Sequence, residues 1–164
     1  MSDLVAADVD GVINAPIEAV WRLMADLSPA EVFKGKGPLP AVRNVTDQTG
    51  PWDTLGQTRT VLMSDGMRLF ERVTVAEPPD AGLARLVYEV RDYTGPIGLL
   101  TSEGISDITF ADVGGQTRLH WNYGFRPKSG LTRVPLNAIR VLFWQGYVRD
   151  VFEDVKTRAE GEAA

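Results

Sequence analysis

Glu71 and Arg59 are the residues whose types and placement most invite chemistry. They lie on two alternating apolar segments that flank Ser64-Asp65-Gly66. A three-residue loop with Gly66 in the left-handed conformation pairs Met63 with Met67. It then sets Arg59 opposite Glu71, on the side that carries Val61, Leu69 and Val73. A charge pair would thus stand inside an otherwise apolar concavity, where the carboxylate could act as a base or the pair could orient a polar ligand group. A two-residue loop instead pairs Arg59 with Arg72 and leaves Glu71 beside Thr60. The plainer alternatives are a structural ion pair, or two charges on a solvent face.

Three further sets of side chains are candidates. His120 is the only histidine, and imidazole titrates near neutral pH. Its strand alternates, however, with Leu119, Trp121, Tyr123 and Phe125 on one face and Arg118, His120, Asn122 and Arg126 on the other. If the apolar face turns inward, His120 points to solvent. Tyr88 alternates inward with Leu86 and Val90. Tyr88, Trp121 and Tyr123 would then offer a few hydrogen-bond donors in an apolar pocket, or simply pack as core. Phe143, Trp144 and Tyr147 open the apolar face of the last helix and are expected to line the same cavity.

Composition removes most other chemistries. The 164 residues include no cysteine, which excludes thiol nucleophiles, thiolate metal sites and redox motifs. Zinc would find at most one imidazole, no acidic cluster has calcium-loop spacing, and no glycine loop of phosphate-binding type occurs. No metal and no cofactor are therefore expected. The net charge of −5 argues against nonspecific nucleic-acid binding and against docking on anionic membranes. No segment reaches the roughly 18 apolar residues of a membrane span. The acidic start MSDLVAADVD has no signal-peptide pattern, so a cytoplasmic location is expected.

The elements that must position these residues follow from periodicity. Residues 4–13 read as a strand. Pro16 opens a helix with Ile17, Val20, Trp21, Met24 and Leu27 on one face, where Val20 and Trp21 are core. Ser28-Pro29-Ala30-Glu31 is a capping box that starts a second, short helix, ended by GKGP at 35–38. Strands are expected at 40–48, 57–63, 67–76, 83–91, 103–111 and 116–127, separated by turn chemistry. A long helix spans about 132–160. At about 100° per residue from Leu136, Phe143, Tyr147, Val151, Trp144, Val155, Val148 and Phe152 share one broad face; Gln145, Arg149, Glu153 and Lys156 lie behind it. No repeat or linker divides the chain, so residues 1–164 are read as one domain. Its fold class is α+β: a seven-stranded, curved antiparallel sheet wrapped around a long C-terminal helix, with two short helices after the first strand.

INAPIEAVWRLMADLS at 13–28, MSDGMRLFERV at 63–73, GGQTRLHWNYGFRPK at 114–128 and FWQGY at 143–147 carry a resemblance. The chain resembles the START-like (SRPBCC) superfamily with its helix-grip fold, and within it the bacterial polyketide cyclase/dehydrase branch. The resemblance implies a cavity between sheet and long helix. Members bind lipids, sterols, hormones or polyketides there, and a minority catalyse cyclisation or dehydration. The leading expectation is a binding module for a small apolar or aromatic molecule, with Arg59, Glu71, Tyr88 and Tyr123 as polar anchors and Trp121, Phe143, Trp144 and Tyr147 as walls. The second is a cyclase- or dehydratase-type enzyme in which Glu71 or a tyrosine moves protons. A third is a protein-interaction domain that uses the loop at 96–100 as its contact. Two Gly/Pro loops, Gly50-Pro51-Trp52 and Gly95 to Leu100, carry apolar residues that read as exposed. The second loop would gate the cavity mouth or contact a partner, a second copy of the chain included.

Overall fold

The computed structural model describes residues 3–163; Met1, Ser2 and Ala164, which the single-domain reading included, lie outside the described residues. Strand β1 (Val5–Ile13) leads into helix α1 (Ile17–Asp26) and the one-turn helix α2 (Pro29–Val32). Strands β2 (Val42–Thr46), β3 (Thr58–Met63), β4 (Arg68–Asp80), β5 (Leu83–Arg91), β6 (Thr101–Asp112) and β7 (Thr117–Pro127) follow, with a 3-10 turn at Pro96–Leu99. Helix α3 (Gly130–Ile139), a π turn (Arg140–Trp144) and helix α4 (Gln145–Ala163) form one continuous C-terminal helix. The seven strands make one antiparallel sheet in the order β1-β7-β6-β5-β4-β3-β2. The chain returns β7 to the side of β1, while α1 and α2 carry it from the β1 edge to the β2 edge. This is the helix-grip arrangement expected.

The capping box forms. Glu31 Oε2 accepts from the Ser28 N–H at 2.9 Å, and Ser28 Oγ accepts from the Ala30 N–H at 3.4 Å. Ser129 and Thr132 make a second reciprocal cap at the start of α3. Strand β2 is shorter than the expected 40–48, because Lys36 and Leu39 bridge a turn before it and Asp47 adopts a positive φ after it. Strand β4 runs beyond the expected 76 to Asp80 through two bulges. Pro78 and Pro79 are tolerated there because β3 pairs no further than Arg72, so that flank of β4 is an edge, and because the second bulge leaves both residues out of the β5 ladder.

The core sits between the concave sheet face and the C-terminal helix, where Val148, Val151, Phe152 and Val155 are buried with Val9, Ile108, Leu119 and Trp121. Trp21 packs edge-on against Phe110, 5.5 Å between centroids. Gly11 on β1 admits the helix at close range, since a Cβ there would lie 2.6 Å from Phe152 Cζ. Gly11→Ala therefore overpacks the contact and is expected to cost about 1–3 kcal/mol in urea unfolding, much of it recovered by adding Phe152→Leu. An unchanged midpoint would mean that helix and sheet slide apart freely.

Candidate functional site

The β3–β4 hairpin has the three-residue loop. The Met63 N–H donates to the Met67 carbonyl at 2.8 Å, Gly66 has φ 89°, and Asp65 Oδ1 accepts from the Met67 N–H at 2.9 Å. Arg59 then pairs with Glu71 across the strands, and both point inward with Val61, Leu69 and Val73. Arg59 Nε donates to Glu71 Oε2 at 2.6 Å; the residues are 4% and 5% exposed. The guanidinium carbon lies 3.6 Å from the ring centroid of Trp52. Trp52, expected on an exposed loop, is instead buried beneath that cation and against Tyr88. The loop reading failed because only the folded hairpin supplies the cation that covers the ring.

Glu71 borders a pocket of about 310 Å³ between the sheet and the C-terminal helix. Its floor is Val61, Met63, Leu69, Tyr123 and Phe125; its helical wall is Ile139, Trp144 and Tyr147. Phe33, the Pro38–Pro40 turn, Tyr93 and the Pro96–Leu100 segment close the rest. Ile97 and Leu100 line this pocket, whereas Leu99 is exposed to solvent. Arg59, Tyr88 and Trp121 stand one layer deeper, around a separate space of about 30 Å³ that shares Pro29 and Phe33 with the pocket. Of the expected wall and anchors, Glu71, Tyr123, Trp144 and Tyr147 thus meet in the pocket; Arg59, Tyr88 and Trp121 back it.

Phe143 is a correction. It does not line the pocket but lies over Gly37, where a Cβ would come within 2.7 Å of its ring. The π turn explains the shift. The Gln145 N–H bonds to the Arg140 carbonyl, five residues back, so an extra residue enters the turn and the phase slips. Trp144 takes the inward position that a straight α-helix would share with Phe143.

Most polar groups near the pocket are engaged. Trp144 Nε1 donates to the Tyr123 carbonyl at 2.9 Å, and Trp121 Nε1 donates to Ser106 Oγ at 2.9 Å. Tyr147 donates to the Pro40 carbonyl and accepts from the Gly35 N–H, both at 2.8 Å. Among the described residues nothing hydrogen-bonds Glu71 Oε1 or the Tyr123 hydroxyl. Burial pushes the Tyr123 phenol well above its ordinary range, with Tyr88 and Glu71 acting in the same direction. Burial, then Glu71, raises Tyr88 and Tyr93 as well. These phenols are neutral donors at physiological pH.

Sequence reasoning missed several lining residues, Phe33, Ile139 and Tyr93 among them, and of these Tyr93 brings a polar group. Its hydroxyl is buried without a partner and sits where a Cβ on Gly104 would be 2.5 Å away. A glycine inside a strand, as at 104, signals such a close approach. His120 faces solvent, with Nε2 2.7 Å from Asp8 Oδ1. Among the described residues no group of three or more His, Asp and Glu side chains could hold a metal ion, and no helix is long and apolar enough to cross a membrane.

Comparisons with known proteins fit this geometry. TTHA0849 from Thermus thermophilus superposes with a TM-score of 0.67 at 13% identity, covering 97% of this chain and 99% of that one. Ara h 8.0201 gives 0.59 at 13% identity, over 93% and 97% of the two chains. DynU16, from the dynemicin biosynthetic locus, gives 0.57 at 20% identity and covers 96% of this chain but 48% of its own. At these identities the likeness is one of fold. No curated protein matches in sequence. The model of one family, described as polyketide cyclase / dehydrase and lipid transport, matches residues 5–160. With nearly its whole length matched, the chain belongs to that polyketide cyclase/dehydrase and lipid transport family.

Proposed function

We propose that the protein binds one small apolar or aromatic molecule in the pocket between the sheet and the C-terminal helix. The observation that carries this is the mainly apolar lining, part aliphatic and part aromatic, around three polar groups without protein partners, Glu71 Oε1 and the hydroxyls of Tyr93 and Tyr123. A volume of about 310 Å³ stands at the small end of ligand sites, which run from about 300 to 1,000 Å³. It suits a molecule of one or two rings better than a two-chained lipid. Arg59 acts from behind, fixing the Glu71 carboxylate; Tyr88 and Trp121 pack beneath. Trp144 and Tyr147 form the helical wall.

The test is titration with N-phenyl-1-naphthylamine, a neutral aromatic probe. One site per chain is expected, and Ile139→Trp, which fills the pocket from the helix side, should weaken binding by about tenfold or more. Native mass spectrometry of the freshly purified protein should show a retained ligand. Failure to bind this probe or any other member of an apolar panel would remove the reading.

An enzymatic reading rests on a different observation, a carboxylate facing the pocket beside two neutral phenols, Tyr93 and Tyr123. A Glu71 base with a phenol as acid is the equipment for enolising a carbonyl compound, the step that cyclisation and dehydration share. Glu71→Gln separates the readings. It should leave probe binding within a few-fold in both but abolish turnover of any substrate in the second.

A further inference from the structure

The first half of the C-terminal helix is apolar on the wrong side. Leu131, Val134 and Leu142 are 87%, 72% and 66% exposed, and Val141 is exposed with them. With Ala138 they recur at spacings of three and four, on the side opposite the buried Leu136. A helix that is apolar on both its inner and outer faces lacks a partner for one of them. Leu99, 74% exposed, lies on the neighbouring 96–100 segment. The Lys128 N–H bonds the Leu100 carbonyl at 3.0 Å, so the 96–100 segment abuts the start of this helix.

The stretch of chain that carries the patch is opposite in charge to the chain as a whole. Between Asp112 and Asp150 the sequence has no carboxylate side chain. Lys128, Arg133 and Arg140 fall within this stretch, and among the described residues none of them is in an ion pair. Arg133 donates to the Asp3 carbonyl and Arg140 to Asn137; the Asp3 carboxylate lies toward Arg126, at 3.8 Å. The net charge of −5 therefore misdescribes this face.

We propose that this helix face and Leu99 dock the protein peripherally on an anionic lipid surface. A branched-aliphatic ridge with cations along its flank is the pattern of an interfacial helix. Protein hot spots favour Trp, Tyr and Arg anchors in pockets, whereas the aromatic residues of this helix turn inward or onto Gly37. The two faces of one helix then have separate tasks, since Ile139 and Trp144 of the same segment line the pocket.

Flotation with vesicles of phosphatidylcholine and phosphatidylglycerol, compared with phosphatidylcholine alone, tests this. The wild type should float with the anionic vesicles, less with the neutral ones, and less again at high salt. Leu131→Ser with Leu142→Ser, both at exposed positions, should cut binding by about tenfold or more. Arg133→Gln with Arg140→Gln should remove the anionic preference. Both variants should bind N-phenyl-1-naphthylamine like the wild type, which shows them folded and keeps this test apart from that of the pocket. Three outcomes overturn the proposal: no flotation of the wild type at low salt, equal flotation of the leucine variant, or a wild-type dimer in light scattering that the leucine variant dissolves. The last would make the stripe a self-interface.

Discussion

Arg59→Ala should destabilise the protein more than truncation of any other charged side chain. It leaves Glu71, 5% exposed, without the guanidinium that holds its Oε2 at 2.6 Å. Removing one partner of a buried pair costs about 3–5 kcal/mol, because the remaining charge has neither water nor counter-ion. The cation that covers Trp52 at 3.6 Å is lost as well. For a chain of this length the shift in Tm is on the order of 10 °C, readable by calorimetry. Glu71→Gln should be milder, since the amide oxygen can still accept from Arg59. The double replacement Arg59→Met with Glu71→Leu should recover most of the loss, because an apolar pair of similar volume suits an apolar site. Such recovery, together with lost probe binding, would show that the pair is kept for the pocket and not for the fold. If Arg59→Ala came within about 1 kcal/mol of the wild type, water would have to reach the pair, and Glu71 would not be a fixed anchor.

Much of this was legible in the residue order because alternation is a strong signal where one sheet face is buried. The β7 pattern placed Trp121 and Tyr123 inside and His120 outside, as found. The Arg59–Glu71 juxtaposition hung on a single choice, two or three residues in the hairpin loop, which periodicity alone leaves open. Gly66 at φ 89° decides it. The rest depended on events with no local signature. The π turn shifts the helical phase by one residue and turns Phe143 out of the pocket. Trp52 lies in a segment that reads as loop and is buried between Arg59 and Tyr88, which arrive from other strands. The outward stripe of α3 was present in the sequence. The wheel drawn from Leu136 follows the buried face and leaves Leu131 and Val134 unplaced.

Alkali should unfold the protein in one steep transition, and its tyrosines explain why. The chain has four, and all four phenols are shifted upward, Tyr147 to about 12 and Tyr88, Tyr93 and Tyr123 further, with burial as the leading cause in each. In the unfolded chain they ionise near pH 10. Above that pH the unfolded state holds fewer protons than the folded one, so stability falls as pH rises. Each fully shifted tyrosine contributes a loss of about 1.4 kcal/mol per pH unit. Four together exhaust the usual reserve of about 5–15 kcal/mol within roughly two units above pH 10. Phenolate absorbance should therefore stay flat past pH 10, then rise together with the loss of circular dichroism, more steeply than a single-proton titration. A gradual rise near pH 10 with the fold intact would mean that water reaches at least one phenol, and Tyr123→Phe would show whether that phenol belongs to the pocket. The consequence at neutral pH is chemical. A phenol that holds its proton so firmly can donate a hydrogen bond or stand as an acid, but it cannot serve as a base. If the pocket catalyses anything, proton abstraction falls to Glu71, the carboxylate that Arg59 holds at its wall.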